Sequence, residues 1–317
     1  MTTAAPGDQG GRTGVLVMAH GTPRSLEEIA GFYTEIRRGR PPSEEQLTEL
    51  EDRYRAIGGT SPLNELTQAQ VSGLAVALAA RAPGRFLVVG GAKFAAPRIE
   101  DAVAELARAG VSRIIGLVLA PHSSTVGVGE YGRRAAEAIA REDPGRPLAL
   151  TMIDHWYEEP GLVTLVAERV NEAIETLGEA ARERVTVLFT AHSVPLRVVE
   201  AGDNYPEQLE ESARAVTGAA GISDWSVAWQ SAGRTDDEWL GPDVNAVISG
   251  LPETGATGVV VCPIGFVADH LEVLYDVDIE ASASATKAGI AFARTQSLND
   301  DPRFLDVLAD AVLAAAD

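Results

Sequence analysis

Short apolar runs rich in β-branched residues alternate along this chain with longer stretches whose apolar residues recur every three or four positions. The short runs predict strands over Gly14–Ala19, Arg85–Val89, Arg113–Ala120, Pro147–Ile153, Val185–Thr190, Ser226–Gln230, Gly258–Cys262 and Gly289–Ala293. Between them the spacing is helical. Leu162, Val166, Val170, Ile174 and Leu177 share one helix face. Ser25-x-x-Glu28 reads as a capping box opening a helix with Leu26, Ile29, Phe32/Tyr33 and Ile36 on one side. Alternation of this kind predicts an α/β fold with parallel sheets flanked by helices.

The pattern repeats. Val15-Leu16-x-x-Ala19-His20-x-x-Pro23 recurs as Val187-Leu188-x-x-Ala191-His192-x-x-Pro195, and Gly116–Pro121 (GLVLAP) recurs as Gly258–Pro263 (GVVVCP). Two matches in the same order predict two similar α/β lobes, residues 1–150 and 151–317. All five histidines (His20, His122, His155, His192, His270) fall at or a few residues beyond the C-terminal end of a predicted strand. Ligands bind along that edge in open α/β sheets. A single such histidine is usually structural. Five together point to chemistry, without saying which of them act.

An acidic row follows His270. Glu272, Asp276 and Glu280 are four residues apart, which places three carboxylates on one helix face, where like charges repel. A solvated face explains such a row in general. Here it begins beside a strand-end histidine, and no Lys or Arg lies between residues 235 and 286, so a divalent cation is the natural partner. Asp269 and His270 add polar groups at the same place. The opposite charge gathers in Arg37-Arg38-Gly39-Arg40, which suits a helix C-terminus and equally a carboxylate or phosphate clamp.

Composition narrows the partners. The chain has 317 residues, 45% hydrophobic and 23% charged, a globular balance long enough for two cores. A net charge of −20 disfavours nucleic acid and anionic lipid surfaces. No apolar run reaches membrane-spanning length, and the polar start MTTAAPGDQGGRTG has no signal region, so a cytoplasmic chain is expected. Cys262 is the single cysteine, which excludes an internal disulfide framework and a four-cysteine cluster. Gly127-Val128-Gly129-Glu130-Tyr131-Gly132, with Asp154 about 20 residues on, matches a dinucleotide fingerprint on paper. Pro121–Val126 separates it from its strand, however, where the fingerprint needs an immediate turn. No G-x-S-x-G elbow accompanies His192-Ser193.

Several motifs are more specific: MAHGTP (Met18–Pro23), IRRGR (Ile36–Arg40), RYRAIGGTSPL (Arg53–Leu63), LAPHSST (Leu119–Thr125), TAHSVP (Thr190–Pro195), DNYPEQLEES (Asp203–Ser212), WQSAGRT with EWLGPDV (Trp229–Val244) and GFVADHLEVLYDVDIE (Gly265–Glu280). Together, from about residue 14 to the C-terminus, they resemble the ferrochelatase family, most closely the soluble coproporphyrin type of monoderm bacteria. The resemblance implies two Rossmann-like, chelatase-type lobes with a porphyrin cleft between them, and a last helix packed on the first lobe. It implies that His192 and Glu272 are the catalytic pair and metal site, with Asp276 and Glu280 as an outer acidic path for metal or protons. His20, Arg37, Arg53, Tyr54, Ser61 and Tyr131 match positions that contact the macrocycle. His20 stands where the closest members carry a tyrosine that ligates product iron, and Phe94 follows Lys93 where they carry a histidine.

The implied activity is insertion of Fe²⁺ into coproporphyrin III with loss of two pyrrole protons. Iron enters as a substrate, so no redox cofactor is needed, and a [2Fe–2S] cluster is excluded. A free His192 imidazole near neutral pH would take a proton or ligate the ion. Binding the propionates firmly would supply the energy that bends the ring. The expected partners are coproporphyrin III and Fe²⁺, with transient contacts to neighbouring haem-pathway enzymes. A monomer, no nucleic acid and no membrane insertion are expected. The alternatives are a cobalt chelatase of a related tetrapyrrole and a non-catalytic haem-delivery protein, which would have no use for the acidic row.

Overall fold

The structure, a computed structural model, describes residues 11–142, 147–233 and 235–317. Most of the N-terminal run and Arg234 of the WQSAGRT motif lie outside the described residues. Strands β1 (Thr13–Ala19), β2 (Phe86–Ala92), β3 (Arg113–Val118) and β4 (Ala149–Ile153) form a parallel sheet in the order β2-β1-β3-β4. Strands β5 (Val185–His192), β6 (Trp225–Gln230), β7 (Gly258–Cys262) and β8 (Ala291–Arg294) form a second parallel sheet, β6-β5-β7-β8. The two sheets share one topology, and β1 and β5 hold equivalent central positions. That is the architecture the duplicated motif predicts. The expected division at residue 150 runs through β4, and the chain changes sheet after Ile153.

In the first lobe, α1 (Ile29–Ile36), α2 (Glu44–Ala56) and α3 (Leu63–Arg81) lie between β1 and β2, α4 (Ile99–Arg108) before β3, and α5 (Val128–Ile139) before β4. Helix α6 (Pro160–Thr176) leads into the second lobe. There α7 (Leu196–Glu200) and α8 (Tyr205–Ala220) precede β6, and α9 (Val244–Gly250) precedes β7. A π-helix (Val273–Ala281) and α10 (Ser282–Ala288) precede β8, and α11 (Pro302–Ala316) ends the chain.

Both faces of each central strand are buried, so the strands read as continuous apolar runs. Leu16 and Met18 face α4 and α5, whereas Val15 and Val17 face a core that also takes Val187 and Phe189 of β5. That shared core holds Phe304, Leu308 and Val312 of α11, so the last helix joins the lobes. Arg81 pairs with Asp306 at 2.8 Å, and Arg113 donates to the Ala315 carbonyl at 2.6 Å, fastening α11 to the first lobe. Cations suit a helix C-terminus with free carbonyls.

The Ser25 box does not form. The Glu28 carboxylate accepts instead from the Arg24 amide at 2.8 Å, and Leu26–Glu28 is a 3₁₀ turn before α1. A reciprocal box forms instead at Ser43 and Gln46, opening α2. Of the apolar face expected for α1 only Ile29 is buried, because Phe32 and Tyr33 turn towards the cleft between the lobes. No described helix is long and apolar enough to cross a membrane.

Candidate active site

The C-terminal ends of β1 and β5 deliver His20 and His192 with the same main-chain tie. His20 Nδ1–H donates to the Gly21 carbonyl at 2.9 Å, and His192 Nδ1–H donates to the Ser193 carbonyl at 2.6 Å. Each ring is thereby fixed with Nε2 as the working nitrogen. Their surroundings differ. His192 Nε2 lies 3.6 Å from Glu272 Oε1, an ion-pair distance. Burial opposes charge on His192, but the Glu272 carboxylate, the Ser193 carbonyl and Asp276 outweigh it and push the imidazole up to about 9. His192 is therefore an imidazolium at neutral pH, not the free imidazole expected from its type. Desolvation beside Phe32 and Phe94, with the Lys93 and His270 charges, holds His20 below its usual value, which favours the neutral ring. Its ring lies 4.8 Å from that of Phe94 and 6.0 Å from that of Phe32.

Glu272 meets a second imidazole. His270 Nε2 is 3.7 Å from Glu272 Oε2, and its Nδ1–H is tied to the Ala268 carbonyl at 2.9 Å. Burial would raise the Glu272 carboxyl, yet the two flanking histidines hold it well below the usual carboxylate range. Proximity in sequence places His270 beside the acidic row without giving it a role; its ring orientation, set by Ala268, brings it to Glu272.

The acidic row continues along the π-helix, but it is not free of cations. Arg53, reaching across from α2, contacts Asp276 at 3.2 Å and Glu280 at 3.9 Å and lies over the Tyr275 ring. The expectation of an unneutralised row fails because the partner lies more than two hundred residues away in sequence. Ser231 also donates to Asp276. Burial and the neighbouring Glu272 and Glu280 charges nevertheless raise the Asp276 carboxyl to about 6. The four expected metal-site residues thus divide into an inner pair, His192 and Glu272, and an outer pair engaged by Arg53. Among the described residues no three His, Cys, Asp or Glu side chains close into a metal cage. A cavity of about 340 Å³ opens beside the row, between Tyr33 and Arg53 on one wall and Ser231, Glu272, Asp276 and Glu280 on the other.

The remaining candidates fall into two sets. Arg37 lies over the Tyr33 ring and donates to the Arg40 carbonyl, with no carboxylate partner among the described residues. Tyr54, Ser61 and Tyr131 are buried. The Tyr54 hydroxyl bonds to Thr22 at 2.9 Å, and burial pushes it up to about 12. Ser61 Oγ accepts from the Leu63 amide, and Tyr131 lies under the Lys93 ammonium. All three are buried in this structure, which a match of positions does not disclose. Lys93, unassigned from the sequence, is nearly buried against Phe94 and Tyr131 and paired with Glu130 at 2.5 Å.

His122 and His155 lie apart. His122 is buried between Tyr157 and Tyr205, and His155 is exposed beside Glu158. The glycines of the dinucleotide-like motif open α5 after an intervening loop, as the spacing requires. Cys262 is buried, and burial pushes its thiol up to about 12.

This arrangement matches known proteins along its length. The ferrochelatase family profile covers residues 12–316. A ferrochelatase of Herpetosiphon aurantiacus is 41% identical over 94% of this chain and 97% of its own. The coproporphyrin III ferrochelatase of Bacillus subtilis is 44% identical over 95% of this chain and 97% of its own. Among solved structures, SirB from Bacillus subtilis with Fe³⁺ superposes with a TM-score of 0.59 at 12% identity, covering 96% of both chains, a likeness of fold. The chain belongs to the ferrochelatase family.

Proposed function

We propose that this protein inserts Fe²⁺ into coproporphyrin III, releasing two pyrrole protons and giving iron coproporphyrin. The observation that carries the reading is the Glu272 carboxylate, held ionised between His192 and His270 at the strand edge with the acidic row leading out from it. Glu272 is the open base or first ligand. Fe²⁺ arriving there displaces the His192 imidazolium proton to water at the cleft mouth; the neutral imidazole then takes one pyrrole proton and Glu272, or water beside it, takes the second. Asp276 and Glu280 keep the approach anionic once Arg53 gives way. Arg37 and its neighbours hold propionates, and fixing the ring rim supplies the distortion that presents the nitrogen lone pairs. His20, held towards its neutral form at the same strand edge, ligates product iron at the position where the family resemblance implies a tyrosine. No redox cofactor takes part, and Zn²⁺ or Co²⁺ is accepted as well, since such ligands do not select iron by affinity.

Substrate choice is tested by following the Soret band anaerobically with Fe²⁺ and either coproporphyrin III or protoporphyrin IX. The ring with four propionates is expected to give the higher kcat/KM. Equal values for the two rings would remove the coproporphyrin assignment.

A further inference from the structure

Glu272 is reached by a loop that leaves β7 at Cys262 and, on the way, touches the main chain of β5 once, where the Gly265 amide donates to the Thr190 carbonyl at 3.1 Å, whereas His192 is the last residue of a central strand. The two groups must hold a fixed separation to exchange a proton and a metal ion. One buried residue touches the local structure of both. Gln230 ends β6, is 1% exposed, and is the register partner of His192. Its main-chain carbonyl accepts from the Ser193 amide at 2.8 Å, and the Ser193 carbonyl is the group that orients the His192 ring. Its side-chain Oε1 accepts from the Thr190 hydroxyl on β5 at 2.7 Å, and its Nε2 donates to the main-chain carbonyl of Glu272 at 3.0 Å. The next residue, Ser231, takes the left-handed backbone (φ 58°) and donates to Asp276, so the same turn also addresses the outer row.

We infer that Gln230 is a positioning residue, a buried amide strut that sets Glu272 against His192. The inference rests on the reading of those two as the reacting pair. A primary amide suits this place because it offers an acceptor to β5 and a donor to the loop across one rigid plane. Catalysis is steep in such a separation: a displacement of about 1 Å costs on the order of a hundredfold in rate. Gln230 is almost fully buried and Arg37, the proposed propionate anchor, does not touch it, so porphyrin binding is expected to survive its loss.

The test compares Gln230→Leu, Gln230→Glu, Thr190→Val and the double variant Thr190→Val/Gln230→Leu for kcat with Fe²⁺ and coproporphyrin III, and for porphyrin Kd by fluorescence quenching. Gln230→Leu is expected to lose about tenfold or more in kcat with porphyrin Kd within about twofold of the parent. Thr190→Val, which removes only the anchor of the amide, is expected to lose less. The double variant should be no worse than Gln230→Leu, because both act through one group, whereas general loosening of the fold would multiply the losses. Gln230→Glu keeps the shape and turns the donor facing Glu272 into an acceptor, so it decides the matter if the leucine variant does not fold. A kcat within about twofold of the parent in a folded Gln230 variant, or multiplying losses, would overturn the inference. Glu272→Gln is measured alongside: full activity there would refute the reading of the site itself, a result distinct from failure of the strut.

Discussion

Two histidines at the C-terminal edges of equivalent strands share a hydrogen bond to the following carbonyl, yet one is held in its protonated form and the other is pushed towards neutrality. The difference comes from Glu272, which pairs directly with His192 and acts on His20 only at longer range. A neutral Nε2 is what a haem iron takes from imidazole. The iron coproporphyrin complex of His20→Ala, and of His20→Tyr, should therefore differ from the parent in Soret position and spin state; identical spectra in both would exclude His20 as the ligand. A third histidine has a different consequence. Burial, aided by the His155 charge, pushes His122 down to about 3, and its ring nitrogens have no partner among the described residues. Unfolded, it titrates near 6.5. Below that pH the unfolded chain binds a proton that the folded chain refuses, so the stability from this group is complete above about 6.5 and is lost as pH falls towards 3. Urea melts between pH 7 and 5 should show the parent losing stability more steeply than His122→Phe, by up to roughly 1.4 kcal/mol per pH unit. Parallel curves would contradict this.

At the scale of elements, the sequence is most readable where the physics is local. Strands buried on both faces leave apolar runs, and their repetition in Val15-Leu16 and Val187-Leu188 discloses two like sheets. Helix α6 follows its apolar spacing almost to the residue. The acidic row is legible at a spacing of four, but its π-helical backbone is not, and neither is Arg53, which reaches it from the other lobe. The Ser25 box fails because Glu28 has a nearer donor in Arg24, which a spacing rule does not weigh. Gly265 shows how tightly the loop after β7 fits behind β5. A Cβ there would lie 2.4 Å from the Ala191 Cβ and 2.9 Å from its Cα, beside His192. Because main chain is among the obstructing atoms, Gly265→Ala should destabilise by roughly 1–3 kcal/mol and lower kcat. An unchanged Tm together with an unchanged kcat would show that β5 is free to yield.

The whole molecule places opposite requirements side by side. Its net charge of −20 favours cations, while an anionic ring needs local relief, and among the described residues Arg37 has no carboxylate partner in that setting. The shared core under Val17, Phe189 and Phe304 joins the two lobes through one continuous apolar interior. That docking of α11 rests on long-range contacts such as Arg81 to Asp306, which no periodicity discloses; the resemblance of motifs alone anticipates it. We assign metal insertion to the His192–Glu272 pair at this cleft. Anaerobic single-turnover Fe²⁺ insertion into bound coproporphyrin III by the parent and by His192→Ala, with porphyrin binding measured in both, decides whether that pair acts. Loss of a basic group that acts in the transition state predicts a fall of about 10²–10⁴-fold with porphyrin binding retained; a variant that keeps more than about a tenth of the parent rate would contradict the assignment.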